Sequence, residues 1–155
     1  MREHIFSHRS IAALEGVHPD LVRVITLGLQ HSPIDFMITE GVRSRERQIQ
    51  LYEQGFSLVH SGGTHEIQPD GYGHAVDVMA VGDLNGDRTC DHRDTLLTWD
   101  KANYGAIAFA VKRAAIELKV HIRWGGDFKR IFDGPHFEQC GEVMEDDLSY
   151  GWQSG

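Results

Sequence analysis

At 155 residues with 41% hydrophobic content, the chain has the size and apolar mass of one compact domain with a true core. Its net charge of −8, from 15 Lys+Arg against 23 Asp+Glu, argues against the broad basic face of a nucleic-acid binder, and Arg43, Arg45 and Arg47 fit the solvated side of a helix as well as a local patch. No run approaches the roughly 20 apolar residues of a membrane span.

The segment Met1–Arg9 lacks the charged, apolar and small-residue succession of a signal peptide, so synthesis in a cytoplasm without an export address is expected. Ser7 to Gly16 reads as a short helix, with Ser7 or Ser10 as cap and Gly16 as stop. Pro19 at a first helical position opens a second helix, in which Leu21, Val22, Ile25 and Leu29 recur at helical spacing. Asp35 to Glu40 is a β-type run. Ser44 caps a third helix with Ile49 and Tyr52 inward and Gly55 as stop. A polar, glycine-rich loop covers Ser57 to Tyr72, Gly73 to Ala80 reads as a buried strand, and Gly82 to Asp94 is a second loop crowded with acids. Asn103 to Lys119 is the longest helix, with Ile107, Val111, Ala114 and Leu118 in one stripe. Val120, Ile122 and Trp124 alternate with His121 and Arg123 as in a half-buried strand, before a Gly125-Gly126 turn and the run Phe132 to Glu138. Helices precede and separate short strands, which predicts an α+β fold: a small antiparallel sheet flanked by helices, in one domain over residues 1–155, and a monomer. Cys90 and Cys140 read as free thiols. Asp146 and Asp147 read as a solvated end.

Three segments can bring His and Asp together: His65 in the first loop, Gly73-His74-Ala75-Val76-Asp77 on the strand, and Asp133-Gly134-Pro135-His136 near the end. Two histidines and a carboxylate, with a fourth position for water, make a normal catalytic zinc shell. Asp77 stands out because it sits between Val76 and Val78, where an unpaired carboxylate is costly to bury. Asp133, a turn away from His136, is placed to act as a general base on the water, with Glu138 the next candidate.

These segments resemble a known family. Gly73-x-Ala75-x-Asp77 and Trp124-Gly125-Gly126-Asp127-Phe128 … Asp133-Gly134-Pro135-His136-Phe137-Glu138 are similar to the D-alanyl-D-alanine-type zinc metallopeptidases, above all to their bacteriophage endolysin branch, the L-alanyl-D-glutamate peptidases. Thr39-Glu40-Gly41-Val42-Arg43-Ser44 … Arg47-Gln48 … Leu51-Tyr52 matches that branch too. The resemblance spans roughly Ser10 to Glu138. It implies a hedgehog/D-Ala-D-Ala peptidase-like fold with a zinc site in a cleft on the sheet. His65, Asp77 and His136 would be the metal ligands, Asp133 the base, and Arg43 the group that holds the polarised carbonyl.

The pattern is broken at its first ligand. Seven residues separate His65 from Gly73 where the family has two, so Glu66 to Tyr72 must carry an insertion, and Gly63 stands where a Ser is usual. Two rivals follow, Asp70 in the ungapped register and His74 beside the strand. Alternation along a strand would point His74 and Asp77 to opposite faces, which favours His65.

The second loop carries a separate signal. Asp83, Asn85, Asp87, Thr89, Asp91 and Asp94 occupy positions one, three, five, seven, nine and twelve, the ligand spacing of an EF-hand-type calcium loop. Arg88 replaces the usual Gly and Asp94 the usual Glu, so an acidic solvated loop is the alternative. The expected function is zinc-dependent cleavage of bacterial peptidoglycan at L-alanyl-D-glutamate. The alternatives are a D-alanyl-D-alanine carboxypeptidase or dipeptidase, and a non-catalytic metal-containing wall-binding module; the base at Asp133 favours an enzyme.

Overall fold

A computed structural model of the chain describes residues 4–141, and Asp146 and Asp147 lie outside them. The local signals produce the helices. Ser7 accepts the Ser10 N–H at 3.3 Å and starts α1 (His8–Ala13), whose buried Ser10 hydroxyl in turn accepts the Ile38 N–H and ties the helix to the sheet. Pro19 opens α2 (Pro19–His31). Its inner face of Leu21, Val24, Ile25, Gly28 and Leu29 packs on the long helix α5 (Lys101–Leu118). Gly28 permits that approach, because a Cβ there would lie 2.8 Å from Val111 Cγ2. α5 begins two residues before the expected Asn103, since Asp100 caps it by accepting the Ala102 N–H at 2.8 Å. The short α4 (His92–Thr95) follows the acidic loop. Among the described residues no helix is long and apolar enough to cross a membrane.

Four strands, β1 (Phe36–Glu40), β2 (Ala75–Ala80), β3 (Ile122–Trp124) and β4 (His136–Gln139), form one antiparallel sheet in the order β1-β2-β4-β3. Side-chain alternation gives it two chemically different faces. Phe36, Ile38, Val76, Val78, Ile122, Trp124 and Phe137 join the buried core with α2 and α5. Asp77 and His136, opposite one another in register, stand on the other face, as do Glu138 and its cross-strand partner Arg123. A bulge in β1 between Ile38 and Glu40 brings Glu40 opposite Asp77. The expected α+β class with a small antiparallel sheet is the observed one.

One local expectation fails. Tyr52 of α3 (Arg45–Glu53) is 45% exposed and rests edge-on against His60, whereas Gln48 is the buried residue of that helix. α3 turns its inner face to a polar pocket rather than to the apolar core, so an amide with partners replaces an aromatic ring. The Gly125-Gly126 turn is present as a single 3-10 turn over Gly125–Asp127.

Candidate metal centre

Asp77 and His136 reach the open face of the sheet from paired positions on β2 and β4. His65 is delivered by a loop whose ends are pinned: the His74 N–H donates to Thr64 O at 2.7 Å and the Arg43 N–H to His65 O at 2.8 Å. The insertion closes on itself beyond that pin. Gln68 N–H bonds Tyr72 O at 2.8 Å, Gly71 N–H bonds Gln68 O at 2.9 Å, and the buried Glu66 accepts the N–H groups of Gly62 and Gly63. The extra residues therefore bulge outward without displacing His65. His74 turns away, bonding Asp70 at 2.6 Å and standing edge-on to His18, so neither His74 nor Asp70 joins Asp77 and His136.

One ligand atom from each of His65, Asp77 and His136 lies within 4.8 Å of the others. His65 Nε2 is 3.2 Å from His136 Nδ1 and 3.4 Å from Asp77 Oδ1, and His136 Nδ1 is 3.3 Å from that same oxygen. The outer nitrogens are also engaged: His65 Nδ1 with Gly41 O at 2.9 Å, His136 Nε2 with Glu138 Oε1 at 3.1 Å. In neutral rings protonated on those outer nitrogens, both inner lone pairs point at the same space as the Asp77 carboxylate. That is the donor set, outer hydrogen bonds included, of a divalent-metal site.

The charges agree with this. Burial pushes the Asp77 carboxyl up, but hydrogen bonds and charge from His136 and His65 outweigh it and hold the group far below the usual carboxylate range. Burial pulls His136 down, and bonds to Asp77 and Glu138 overcome it, raising the ring to about 9. A positively charged centre, metal or proton, is what these side chains are arranged to face.

Arg43 lies beside them with its side chain 9% exposed. Its Nε and Nη2 grip both oxygens of Glu40 at 2.9 and 2.8 Å, Nη2 also reaches Asp77 Oδ2 at 3.4 Å, and Nη1 donates to Gln48 Oε1 at 2.8 Å. Burial opposes its charge, yet Glu40, Asp77 and Asp133 more than compensate and raise its pKa. These bonds use Nε, both Nη2 directions and one of the two at Nη1. Gln48 passes the restraint on, donating to Ser57 Oγ and Val59 O. Asp133 lines the same cleft, of about 870 Å³. Burial and the nearby Asp77 charge raise its carboxyl above the ordinary value despite His136, His65 and Arg43. Its backbone is fixed by donation to Gly125 O at 3.0 Å, and a Cβ at 125 would overlap the Asp133 carbonyl and come 3.0 Å from His136 Cβ. Only glycine at position 125 lets the turn after β3 pass so close under the site.

The acidic loop is arranged differently. Asp83 accepts the N–H groups of Gly86 and Arg88, Asn85 that of Asp87, Asp87 that of Thr89, and Asp94 those of Leu84 and Asn85. Arg93 bridges Asp87 and Asp91 at 2.9 and 2.6 Å. Among the described residues, His65, Asp77 and His136 form the one group of three or more His, Cys, Asp or Glu ligand atoms close enough to share a metal ion.

Glu40 and Gln48 had no role assigned from the sequence, and Glu138 was read as a reserve base rather than as the partner of His136. Strand parity gives a signal for the last, since residues two apart on β4 share a face. A small antiparallel sheet carrying a His–Asp–His donor group in a cleft defines the class as α+β proteins with a candidate metal centre on the sheet. Within it, the chain belongs to the phage L-alanyl-D-glutamate peptidase family, whose model matches residues 3–140. It is 29% identical over 113 residues to the peptidoglycan L-alanyl-D-glutamate endopeptidase CwlK of Bacillus subtilis (strain 168), a match covering 68% of this chain and 60% of that protein's length. The crystal structure of the Serratia marcescens L-Ala D-Glu endopeptidase ChiX is similar with a TM-score of 0.70 and 39% identity, over 89% of this chain and 92% of that one.

Proposed function

We propose that the chain hydrolyses the L-alanyl-D-glutamate bond in the stem peptide of peptidoglycan, using zinc held by His65, Asp77 and His136. The observation that carries this is the convergence of those three ligand atoms within 4.8 Å on the open face of the sheet, in a cleft that also holds Asp133. Two imidazoles and one ionised carboxylate suit zinc better than a hard, all-oxygen cation. When bound, zinc supplies a Lewis acid that lowers the pKa of water towards about 7 and polarises a carbonyl. Asp133, its carboxyl raised by burial, accepts the proton of the attacking water and passes it to the leaving amine nitrogen. Arg43 keeps Asp77 oriented, and its remaining Nη1 direction is offered to the carbonyl oxygen.

Mass spectrometry of Gram-negative-type peptidoglycan after digestion tests this reading. Fragments with a new N-terminal D-glutamate are expected, with chelator sensitivity and no action on casein. Release of D-alanine from the far end would select the carboxypeptidase alternative. Zinc verified in place with no fragments would select a wall-binding module.

Calcium binding by Asp83 to Asp94 is a separate reading, supported by the oxygen spacing alone. If it holds, millimolar calcium raises the melting temperature by mass action and Asp87→Ala abolishes the rise. A calorimetric titration without calcium heat would leave a solvated loop knitted by its own hydrogen bonds.

A further inference from the structure

The proposed reaction leaves one feature of the cleft unused. The chain is acidic overall, yet Arg123, Lys129 and Arg130 crowd one rim of the cleft within a span of eight residues. All three are exposed, and none has an ion-pair partner among the described residues. The acids nearby are committed elsewhere: Asp127 to Lys112 at 2.6 Å, and Glu138, opposite Arg123 in register, to His136 at 3.1 Å. The Arg123 guanidinium lies 5.2 Å over the Phe128 ring, which itself packs 5.7 Å from His136. That stack sets one cation on the same sheet face as the metal ligands and beside them. The same cleft also has apolar lining, with Phe56 78% and Leu58 66% exposed.

The polarity of the cleft orients a substrate. Asp133 must stand next to the leaving nitrogen to protonate it, and it lies three residues beyond Arg130 in the chain and lines the same cleft. The fragment released as the amine therefore runs along the cationic rim. In a stem peptide that fragment begins with D-glutamate, joined onward through its side-chain carboxyl, so a free α-carboxylate sits on the carbon that bears the leaving nitrogen. In some walls this group is amidated and uncharged.

Resting on the peptidase reading above, we propose that Arg123, Lys129 and Arg130 form the subsite for this α-carboxylate, so that the chain selects stem peptides with a free acid over amidated ones. Three cations around one carboxylate supply charge-assisted hydrogen bonds that a carboxamide cannot match. A partly exposed subsite of this kind is worth about tenfold in kcat/KM.

Two synthetic stem peptides, identical but for an α-carboxylate or an α-carboxamide on the D-glutamyl residue, test it with the zinc-loaded chain. The acid is expected to be cleaved about tenfold more efficiently, mainly through KM, with a preference that shrinks as salt rises. The combined Arg123→Gln, Lys129→Gln and Arg130→Gln variant should bring the ratio towards one, while Arg23→Gln, remote on α2, leaves it unchanged. Zinc content and melting temperature monitor the fold. Equal cleavage of both peptides by the wild type, or a ratio that survives the triple variant, overturns the subsite and leaves the peptidase reading standing. Cleavage of neither peptide with zinc in place removes both.

Discussion

Asp133→Asn is expected to keep its metal and its melting temperature and to lose roughly 10²- to 10⁴-fold in kcat. The side chain lines the cleft without a hydrogen bond to any described residue, so the isosteric amide should fit without strain. What it cannot do is take a proton from water and return it to an amine. The raised carboxyl of Asp133 supports this proposed role, because burial and the Asp77 charge bring it nearer the pH at which proton acceptance and donation are both efficient. The loss should fall on kcat with little change in KM, as for an interaction made in the transition state. Near-wild-type turnover with full metal content would refute the assignment. Glu138 would then be the remaining carboxylate to test, although its bond to the outer nitrogen of His136 suits it better to orienting that ring.

Much of this geometry was legible because it is local. Ser7, Ser44 and Pro19 act within one turn of themselves, and the alternation of Val120 to Trp124 needs only the pleat of a strand. Asp77 was readable for the same reason, as a charge in an apolar run. What stayed hidden depends on distant partners. Nothing near Gln48 announces that it is buried, because the groups that satisfy it come from Arg43 and from the loop at Ser57 and Val59. The resemblance supplied His65 as a candidate, but the count of residues to Gly73 left His74 and Asp70 open. The Thr64–His74 hydrogen bond, which ejects the insertion, exists only once the loop has folded. The acidic loop shows the converse. Its oxygen spacing is plain in the sequence, while spacing alone did not foretell that Arg93 would bridge Asp87 and Asp91. Gly125 looked like a turn former, and its larger role, clearing space for Asp133, follows only from the approach of a second segment.

The second large effect is expected when the metal is removed and pH is varied. In the metal-free protein His136 carries a proton up to about 9, against 6.5 for the free side chain. A folded-state pKa above the unfolded value adds stability that is fully present below about 6.5 and is lost as pH rises through 9. Asp77, held below its ordinary value, contributes above about 4 and loses that contribution on acidification. The metal-free chain should therefore be most stable between about pH 4 and 6.5. At about 1.4 kcal/mol per pH unit, the His136 contribution is on the order of 3 kcal/mol at pH 6.5, most of it gone by pH 9, so the melting temperature should fall by roughly 5–10 °C between those values. Zinc at the proposed site should take the place of the proton, and its affinity should rise as pH climbs because the ring no longer has to be deprotonated first. The zinc-induced rise in melting temperature should thus widen across that same window. In Asp77→Asn both effects should collapse, since the carboxylate that draws the proton and completes the donor set is gone. Thermal melts with and without chelator at several pH values measure this directly. A metal-free melting temperature that stays level from pH 6.5 to 9, or an Asp77→Asn variant that keeps the full zinc increment, would show that this carboxylate does not organise the centre.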